Sequence, residues 1–393
     1  MSTDRQPEIL IAGGGLGGLA AALALARKGR RVRVLEKAAE FGEIGYGIQM
    51  GPNIHRVMQS LGVMDALEKT AFFTDALVMM DAVSGEEVTR IPLGDAFVKR
   101  YGYRYFVIHR RDLHETLFEA CKRRDEVTLE ASKGLVTFAE RDGGVVVACE
   151  DGSEYLGAAL VGADGLWSPT RKQIVTDAPR QTGHTVYRGL VPVDAVVDRQ
   201  FLNSMVIWCG HDTHLVQYRL RGGTVMNNVA VFVSPRFKRG EKEFGQPEEL
   251  HEMFAPAVPR VREMLKYISL ERNWVLHDRD PVTNWTKGRA TLLGDAAHPT
   301  LQYLAQGACM AFEDALVLAS EVARHGDDFN AAFLAYQGRR MNRTARVVLS
   351  ARFFAEVCHA GGGARLLRNE LLGRRKLDDP WEADWLYKGT DVD

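Results

Sequence analysis

The chain has 393 residues, of which 46% are hydrophobic and 26% are charged, a composition typical of a folded globular protein of about two domains. Its 50 basic and 51 acidic residues give a net charge of −1, which predicts neither nucleic acid nor an anionic membrane as a partner. The five cysteines contain no CxxC pair, so we expect free thiols in a cytoplasmic protein rather than disulfides or a zinc site.

The first predicted elements form a βαβ unit. Residues 9–26 are uncharged over 18 positions, but they contain five glycines and follow a start that lacks the positive charge of a signal peptide. We therefore expect neither a signal peptide nor a transmembrane segment. The pattern instead predicts a buried strand over residues 8–12, a helix over 19–28 that ends at Gly29, and a second strand over 31–36.

A dinucleotide fingerprint connects this strand to the helix. Gly13, Gly15 and Gly18 form a G-x-G-x-x-G motif, and Glu36 ends the next strand 18 residues after Gly18. In such a motif the first glycine allows the tight turn, the second lets a pyrophosphate approach the backbone, and the third lets the helix pack on the strand. Because the helix N-terminus attracts phosphate and Glu36 can accept hydrogen bonds from a ribose, the motif predicts an NAD or FAD site.

Two further turns combine glycine with aspartate after apolar strands. Asp164 lies in residues 161–165 and Asp295 in residues 293–299. Ligands of parallel α/β sheets collect at the carboxyl ends of the strands, so both aspartates are candidate ligand-binding residues. Taken singly, each turn is equally compatible with an ordinary Asx turn.

The rest of the chain alternates strands with loops and then becomes helical. Further strands are predicted over residues 145–149, 159–162, 213–219, 225–233 and 290–293. The strands at 213–219 and 225–233 flank a glycine turn and predict an antiparallel hairpin. From about residue 306 the pattern is helical, with a break at the glycines 361–363.

The three glycine-containing segments, in this order and spacing, resemble the fingerprint of the class A flavoprotein aromatic hydroxylases, the para-hydroxybenzoate hydroxylase superfamily. The resemblance implies that the first segment binds the ADP part of FAD, that Asp295 contacts the ribityl chain, and that Asp164 supports FAD and NAD(P)H binding. It also implies that Arg110, at the start of a predicted helix, reaches the FAD phosphates; an ordinary surface arginine is the less favoured alternative. Because the chain has one G-x-G-x-x-G motif, we expect NAD(P)H to bind without a Rossmann domain of its own.

The resemblance also implies the fold class. We expect an α/β protein in which a Rossmann-like FAD-binding domain is interleaved with a mixed-sheet substrate domain, followed by C-terminal helices. The FAD-binding domain is expected over residues 1–75, 100–180 and 281–345, the substrate domain over 76–99 and 181–280, and a C-terminal helical segment and tail over 346–393.

One candidate for the substrate site is the predicted strand at 213–219. Side chains alternate along a strand, so His214, Val216 and Tyr218 share one face and could line an aromatic pocket. A histidine can take a phenolic proton near neutral pH. Without the resemblance, His214 is better explained as a structural histidine of the sheet, but the family places this hairpin over the flavin.

A second candidate is the stretch 301–307. In the family it runs under the flavin ring and begins a helix, here near Gly307, whose N–H groups stabilise a reduced anionic flavin. Gln302 stands where many family members have proline. A glutamine beside the flavin can hydrogen-bond a phenol or carboxylate, although a solvated loop residue is the simpler alternative.

His214 with its tyrosine, together with Gln302, most closely resembles the 3-hydroxybenzoate 6-hydroxylases. That resemblance implies a single-component monooxygenase that consumes NADH or NADPH and dioxygen. It would convert a small phenolic acid, with 3-hydroxybenzoate as the expected substrate, to 2,5-dihydroxybenzoate (gentisate) through a flavin hydroperoxide. His214 would be the base, Gln302 would orient the phenol oxygen and Tyr218 would contact the substrate. A homodimer is common among such proteins.

Other activities stay open at this point. Salicylate 1-hydroxylase and 6-hydroxynicotinate 3-monooxygenase are near relatives of the same group. A flavin oxidoreductase that does not insert oxygen, or a non-catalytic FAD-fold protein that binds a small aromatic or a partner, would belong to other classes. Oxygen incorporation into the product separates a hydroxylase from both.

The remaining polar and aromatic residues are assigned no chemistry. The other histidines have no metal-ligand spacing, so no metal site is predicted, and His298 is expected to be structural. Glu313 and Asp314 are expected to be solvated or capping acids, and residues 187–189 mark only the entry to the substrate domain. The aromatic residues within 381–387 are expected to cover the core or an oligomer interface.

Overall fold

Residues 8–42, 45–376 and 381–389 are described in a computed structural model of the chain. Two large sheets organise these residues, and two small ones flank them. The strands in chain order are β1 (Ile9–Ala12), β2 (Val32–Leu35), β3 (Gly47–Met50), β4 (Phe72–Phe73), β5 (Ala76–Asp81), β6 (Glu87–Pro92), β7 (Phe106–His109), β8 (Val127–Glu130), β9 (Leu135–Arg141), β10 (Gly144–Cys149), β11 (Glu154–Gly157), β12 (Ala159–Gly162), β13 (Arg180–Pro192), β14 (Met205–Gly210), β15 (Thr213–Leu220), β16 (Val225–Val233), β17 (Ser269–Asp278), β18 (Thr286–Lys287) and β19 (Ala290–Leu292).

The helices pack against these sheets and dominate the C-terminal part of the chain. In chain order they are α1 (Leu16–Arg27), α2 (His55–Leu61), α3 (Met64–Glu68), α4 (Asp95–Tyr101), α5 (Arg110–Lys122), α6 (Pro169–Lys172), α7 (Pro235–Lys238), α8 (Pro247–Phe254), α9 (Pro259–Met264), α10 (Gly307–His325), α11 (Phe329–Cys358), α12 (Gly362–Gly373) and α13 (Asp384–Tyr387). Within the described ranges, no helix is both long enough and apolar enough to cross a membrane.

The first large sheet contains the predicted βαβ unit. Its strand order is β18-β19-β12-β1-β2-β8, and all neighbours are parallel except β18 and β19. All residues of β1 and β12 are buried, as expected for parallel strands covered on both faces. Helix α1 begins at Leu16, three residues earlier than predicted, because Gly15 is already its N-cap.

The second large sheet is mixed, as predicted for the fold class. Its order is β17-β13-β16-β15-β14-β5-β6, with β14 and β5 parallel and the other neighbours antiparallel. The predicted hairpin is confirmed as β15 and β16 around the turn at Arg221–Gly223. One face of this sheet packs on α8 and α9, whereas the other face turns toward the first sheet.

The C-terminal helices close the fold. The predicted helical region is confirmed as α10, α11 and α12, and the predicted break falls between Cys358 and Gly362. Helix α10 packs on α1. In the tail, Tyr387 is buried against the rings of Phe97, Tyr101 and Tyr105, so the expectation of core cover is confirmed for this residue. The side chain of Trp381 lies outside the described part of the chain.

Candidate active site

A cavity of about 1270 Å³ lies between the two large sheets and is lined by residues of both. It brings together ten of the eleven residues predicted to form the site: Gly13, Gly15, Glu36, Arg110, Asp164, His214, Tyr218, Asp295, Gln302 and Gly307. The eleventh, Gly18, lies behind the fingerprint turn. The cavity is therefore the candidate active site, with a nucleotide end at the first sheet and a substrate end at the second.

The glycine turn at the nucleotide end depends on very close backbone contacts. Gly13 has a φ of +105°, and a Cβ atom there would lie 2.4 Å from the carbonyl oxygen of Ala163. A Cβ atom on Gly18 would lie 1.9 Å from the carbonyl oxygen of Gly13. Gly18 thus allows helix α1 to pack on the strand turn, while the start of the helix at Gly15 opens into the cavity.

The carboxylate of Glu36 is fixed at the edge of the cavity by backbone donors. One oxygen accepts a hydrogen bond from the Gly14 N–H at 2.6 Å, and the other accepts one from the Ala38 N–H at 2.8 Å. A carboxylate oxygen can accept more than one hydrogen bond, so Glu36 can still bind ribose hydroxyls.

Asp295 lies deeper in the cavity, on the short turn Gly294–Ala296. Its side chain opens to the cavity and makes no hydrogen bond within the described ranges. Desolvation raises the pKa of this carboxyl group, while the nearby Arg110 and His298 act in the opposite direction. A Cβ atom on Gly307 would lie 3.9 Å from the Asp295 carboxylate, which places the start of α10 beside it. A carboxylate in this setting suits hydroxyl donors such as a ribityl chain.

The two carboxylate oxygens of Asp164 differ in their hydrogen bonding. One of its carboxylate oxygens accepts hydrogen bonds from the Thr170 N–H at 3.0 Å and the Thr170 hydroxyl at 2.7 Å. The other oxygen is buried and has no partner among the described residues, so it remains available to a bound group. Buried Arg171 donates to the carbonyl oxygens of Ala296 and Ala297 at 2.8 and 2.7 Å, which ties the two Gly/Asp segments together.

A fully buried ion-pair network supports the Gly/Asp turn from below. Arg340 bonds both Asp314, at 2.6 Å, and Glu313, at 2.8 Å, and Asp314 also bonds His298 at 2.6 Å. Glu313 and Asp314 are 0% exposed, so the expectation that they are solvated or capping acids is wrong. Their position on the inner face of α10, next to two arginines of α11, was not readable without knowing how these helices pair. The structural role expected of His298 is confirmed.

At the substrate end, His214, Val216 and Tyr218 share the cavity face of β15, as their alternation predicts. His214 is only 2% exposed, and its Nδ1 lies 2.7 Å from Nε2 of His359. Burial lowers the pKa of His214 to about 3, and the neighbouring His184 adds to the effect. The ring is therefore neutral at pH 7, in contrast to the near-neutral titration that its residue type suggests.

Tyr218 packs beside the loop that carries β3. A Cβ atom on Gly47 would lie 2.5 Å from the tyrosine ring, so the ring occupies the space that a side chain would need. Burial raises the pKa of Tyr218 to about 12, against the opposing charge of Arg188. Its hydroxyl group stays protonated and can donate a hydrogen bond.

Gln302 lies on the turn Gln302–Leu304, just before α10, and lines the cavity. Its side-chain oxygen accepts a hydrogen bond from Arg188 Nη2 at 3.1 Å. The amide NH₂ of Gln302 is therefore the group left to donate toward a ligand.

Arg188 is the residue of this site that sequence reasoning missed. It lies on the cavity face of β13, between the rings of Tyr46 and Trp274, whose centroids are 5.5 and 5.9 Å from the guanidinium carbon. Within the described ranges it forms no ion pair with a carboxylate, and burial lowers its pKa. The sequence signal for it is an arginine within an otherwise apolar strand segment. Burying that charge costs free energy unless a negatively charged group pairs with it.

The glycine cradle, the fixed carboxylate of Glu36, and the oxygens of Asp164 and Asp295 that have no partner in the described part of the chain fit an FAD molecule. An apolar, aromatic pocket with a few polar groups adjoins them. A nucleotide site that opens into such a pocket defines a flavoprotein that acts on a small aromatic compound.

Comparisons with known proteins agree with this class. Residues 6–351 match the FAD binding domain family. The chain is 44% identical to a 3-hydroxybenzoate 6-hydroxylase of Polaromonas naphthalenivorans, covering 96% of this chain and 95% of that one. It is 33% identical to a 6-hydroxynicotinate 3-monooxygenase of Bordetella bronchiseptica, covering 87% and 90% of the two chains.

Solved structures resemble the fold over almost its whole length. HpxO of Klebsiella pneumoniae in complex with FAD and uric acid matches with a TM-score of 0.85 and 26% identity, covering 97% of this chain and 96% of that one. A salicylate hydroxylase substrate complex matches with a TM-score of 0.82 and 25% identity, covering 98% and 96%. The chain belongs to the FAD binding domain family, among its single-component flavoprotein aromatic hydroxylases. The predicted family, fold class and FAD cofactor are thereby confirmed.

Proposed function

We propose that this protein hydroxylates 3-hydroxybenzoate to 2,5-dihydroxybenzoate, consuming NADH and dioxygen. The observation that carries the proposal is the cavity face of the second sheet. Arg188 of β13 pairs with Val229 of β16, which pairs in turn with Val216 of β15. His214 lies on β15, two residues from Val216 and on the same face of the sheet. A cation and an imidazole thus flank a floor of valine side chains.

The spacing of these two groups suits a ring with meta substituents. Neighbouring strands lie about 5 Å apart, so side chains reaching in from β13 and β15 can hold opposite edges of one benzene ring. The carboxylate of 3-hydroxybenzoate would pair with Arg188 and its phenol would contact His214. The same pairing supplies the counter-charge that Arg188 lacks within the described ranges.

The other residues of this end complete the contacts. The amide NH₂ of Gln302 donates to the phenol oxygen, since its carbonyl oxygen is already bonded to Arg188. The Tyr218 hydroxyl donates to the carboxylate. His214 accepts the phenol proton, which makes the ring more electron-rich at the positions ortho and para to the oxygen. The carbon para to the phenol is C6, and its hydroxylation gives gentisate.

The nucleotide end holds FAD, which supplies electron transfer from NADH and activation of dioxygen when bound. Gly13 and Gly15 would receive the pyrophosphate, with Arg110 beside it, and Glu36 would bind the adenosine ribose. These contacts follow from the backbone cradle and the fixed carboxylate.

The deeper part of the nucleotide end faces the reacting ring. Asp295 would bind the ribityl chain and Asp164 would support the cofactor through its unpartnered oxygen. The start of α10 at Gly307 would stabilise negative charge on the reduced flavin. The apolar side chains that line the substrate end would limit the access of water to the reacting ring.

The domain division follows the sheets. We propose an FAD-binding domain over residues 1–75, 100–180 and 281–345, a substrate domain over 76–99 and 181–280, and a C-terminal segment over 346–393. The second large sheet draws its strands from 76–92 and 180–278, which supports these bounds.

We also propose a cytoplasmic homodimer that prefers NADH over NADPH. The five cysteines are buried free thiols, which suits a reducing compartment. Several large apolar side chains of the C-terminal helices are exposed and would be covered in a dimer: Leu349, Phe353, Leu366, Leu367 and Leu371. Gel filtration with light scattering tests the dimer, and initial rates with each nicotinamide nucleotide test the preference.

Product identification tests the proposed reaction. The FAD-loaded protein is mixed with NADH, air and 3-hydroxybenzoate, and separately with salicylate. Gentisate formed from 3-hydroxybenzoate in the amount of NADH consumed would support the proposal. Catechol from salicylate alone would assign a salicylate 1-hydroxylase, and NADH consumption that yields only hydrogen peroxide with both acids would overturn the substrate assignment.

A further inference from the structure

Beside Tyr218, at the substrate end of the cavity, lie two polar side chains that the contacts proposed above do not use. Gln49 lies on β3, Tyr105 directly precedes β7, and both line the cavity. The Tyr105 hydroxyl donates a hydrogen bond to Gln49 Oε1 at 2.7 Å. This bond fixes the orientation of the Gln49 amide, with its oxygen toward Tyr105 and its NH₂ group turned away from it.

The backbone holds Gln49 next to Tyr218. A Cβ atom on Gly47, two residues before Gln49 on β3, would lie 2.7 Å from the Tyr218 oxygen. The Gly47 N–H donates to Oδ1 of Asn227 at 3.1 Å, and Asn227 is the β16 residue that pairs with Tyr218. Because side chains two residues apart share a face of a strand, Gln49 lies on the face of β3 that meets this tyrosine.

The amide of Gln49 also hydrogen-bonds the Tyr218 hydroxyl. Burial raises the pKa of Tyr218, while the charge of Arg188 and the hydrogen bond with Gln49 act in the opposite direction. A hydrogen bond that favours the tyrosinate form is one that is donated to the tyrosine oxygen. The NH₂ group of Gln49 is therefore the donor, which agrees with the orientation that Tyr105 imposes on the amide.

We propose that Gln49 is a positioning residue that directs the hydroxyl proton of Tyr218 toward the substrate carboxylate. Since the tyrosine oxygen accepts a hydrogen bond from Gln49, its own proton points away from Gln49 and into the cavity that Tyr218 lines. Tyr105, Gln49 and Tyr218 then form a row of donors with one direction, which ends at the ligand. The inference rests on the proposed contact between Tyr218 and the carboxylate of 3-hydroxybenzoate.

A hydroxyl group oriented in this way distinguishes ligands by their hydrogen-bonding chemistry. A carboxylate only accepts hydrogen bonds, so it suits both the Tyr218 proton and the nearby charge of Arg188. An alcohol at the same ring position can also donate, but its donation would compete with Gln49 for the tyrosine oxygen. Gln49 thus favours an anionic substituent at this position of the cavity.

Gln49→Met tests the proposal, because methionine keeps the length of the side chain but removes the amide. In the FAD-loaded protein the Kd for 3-hydroxybenzoate, measured from flavin absorbance changes, should rise about 3- to 10-fold, since the Tyr218 proton loses its orientation. The Kd for neutral 3-hydroxybenzyl alcohol should change by less than about twofold. Gln217→Met is the matched control, since Gln217 lies on the opposite face of β15 and its amide donates to Asn228. It should leave both constants within about twofold of wild type.

Two further measurements separate positioning from a general loosening of the cavity. In a Tyr218→Phe background, Gln49→Met should raise the Kd for 3-hydroxybenzoate by no more than about 1.5-fold, because no hydroxyl group is left to orient. Gentisate formation by Gln49→Met at saturating 3-hydroxybenzoate should stay within about threefold of wild type, so that KM changes more than kcat. Flavin content and melting temperature check the folding of each variant, and Gln49→Leu provides a second variant if Gln49→Met does not fold.

The outcomes are distinct. If wild-type protein forms no gentisate, the proposed function fails before any variant is made. If wild type is active but Gln49→Met binds 3-hydroxybenzoate as tightly, or weakens acid and alcohol equally, the positioning role of Gln49 is overturned. The same conclusion follows if Tyr218→Phe alone leaves the Kd for 3-hydroxybenzoate unchanged, if the effect of Gln49→Met persists in that background, or if Gln217→Met reproduces it.

Discussion

Two arginines near the cavity, Arg340 and Arg188, have opposite electrostatic environments. Arg340, under the nucleotide end, bonds two fully buried carboxylates, and their charges raise its pKa. Arg188, at the substrate end, has a glutamine and two aromatic rings around it, and burial lowers its pKa. Among the described residues, carboxylates compensate the charge of Arg340, whereas none pairs with Arg188. Arg340 therefore stabilises the fold around the site, whereas Arg188 is available to bind a negatively charged ligand.

Arg340→Met removes the arginine that is paired with two buried carboxylates, and we expect it to have the largest effect of the substitutions considered. It leaves Glu313 and Asp314 buried without their shared partner, which should lower the free energy of unfolding by about 3–5 kcal/mol. Urea denaturation followed by circular dichroism measures the change. Arg374→Met, on an exposed pair with Glu370, is the control and should stay within about 0.5 kcal/mol of wild type. Equal effects of the two substitutions would contradict the comparison.

His214→Ala breaks the chemistry of the substrate end without touching the ion-pair network. Gentisate formation should fall about 10²- to 10⁴-fold, while flavin content and melting temperature change little. His277→Ala alters another histidine that lines the cavity and should keep most of the activity. Product formation at the wild-type rate by His214→Ala would remove this residue from the mechanism.

Asp295→Ala tests the nucleotide end of the cavity separately from the substrate end. It deletes the carboxylate that opens toward the ribityl position, so the Kd for FAD should rise about 10- to 100-fold. Fluorescence titration of apoprotein with FAD measures this constant, with Asp280→Ala at an exposed aspartate as the control. Full flavin occupancy after extensive dialysis of the variant would refute the cofactor role of Asp295.

The stability contributed by the buried ion-pair network of Arg340 should also depend on pH. His298 and Arg340 hold the pKa of Asp314 at about 2, below the ordinary value of 3.8. A depressed folded-state pKa contributes stability that is present above the unfolded-state pKa of 3.8 and is lost as the pH falls toward 2, by about 2 kcal/mol in total. Chemical denaturation at a series of pH values should show this loss in wild type and a flatter curve in Asp314→Asn. Parallel curves would contradict the assignment.

The fold was largely predictable because its first signals are local. The glycine spacing of Gly13, Gly15 and Gly18 and the apolar runs around it specify a βαβ unit within one short stretch. The alternation along β15 placed His214 and Tyr218 on one face. Both patterns depend on neighbours in the sequence, which a single chain displays.

The unpredicted residues depend on contacts between distant segments. Glu313 and Arg340 lie 27 positions apart on two helices, and His214 and His359 lie 145 positions apart on a strand and a helix end. The importance of Arg188 rests on the lack of a carboxylate partner among the described residues, and such a lack is visible only in three dimensions. Sequence periodicity carries no information on such pairings.

The most direct test of the account measures whether Arg188 recognises the carboxylate of the substrate. Dissociation constants for 3-hydroxybenzoate and for neutral 3-hydroxybenzyl alcohol are determined from flavin absorbance changes, in wild type and in Arg188→Met. We predict that the substitution raises the Kd for 3-hydroxybenzoate about 10- to 100-fold and changes the Kd for the alcohol by no more than about twofold. Equal weakening of both ligands, or of neither, would contradict it.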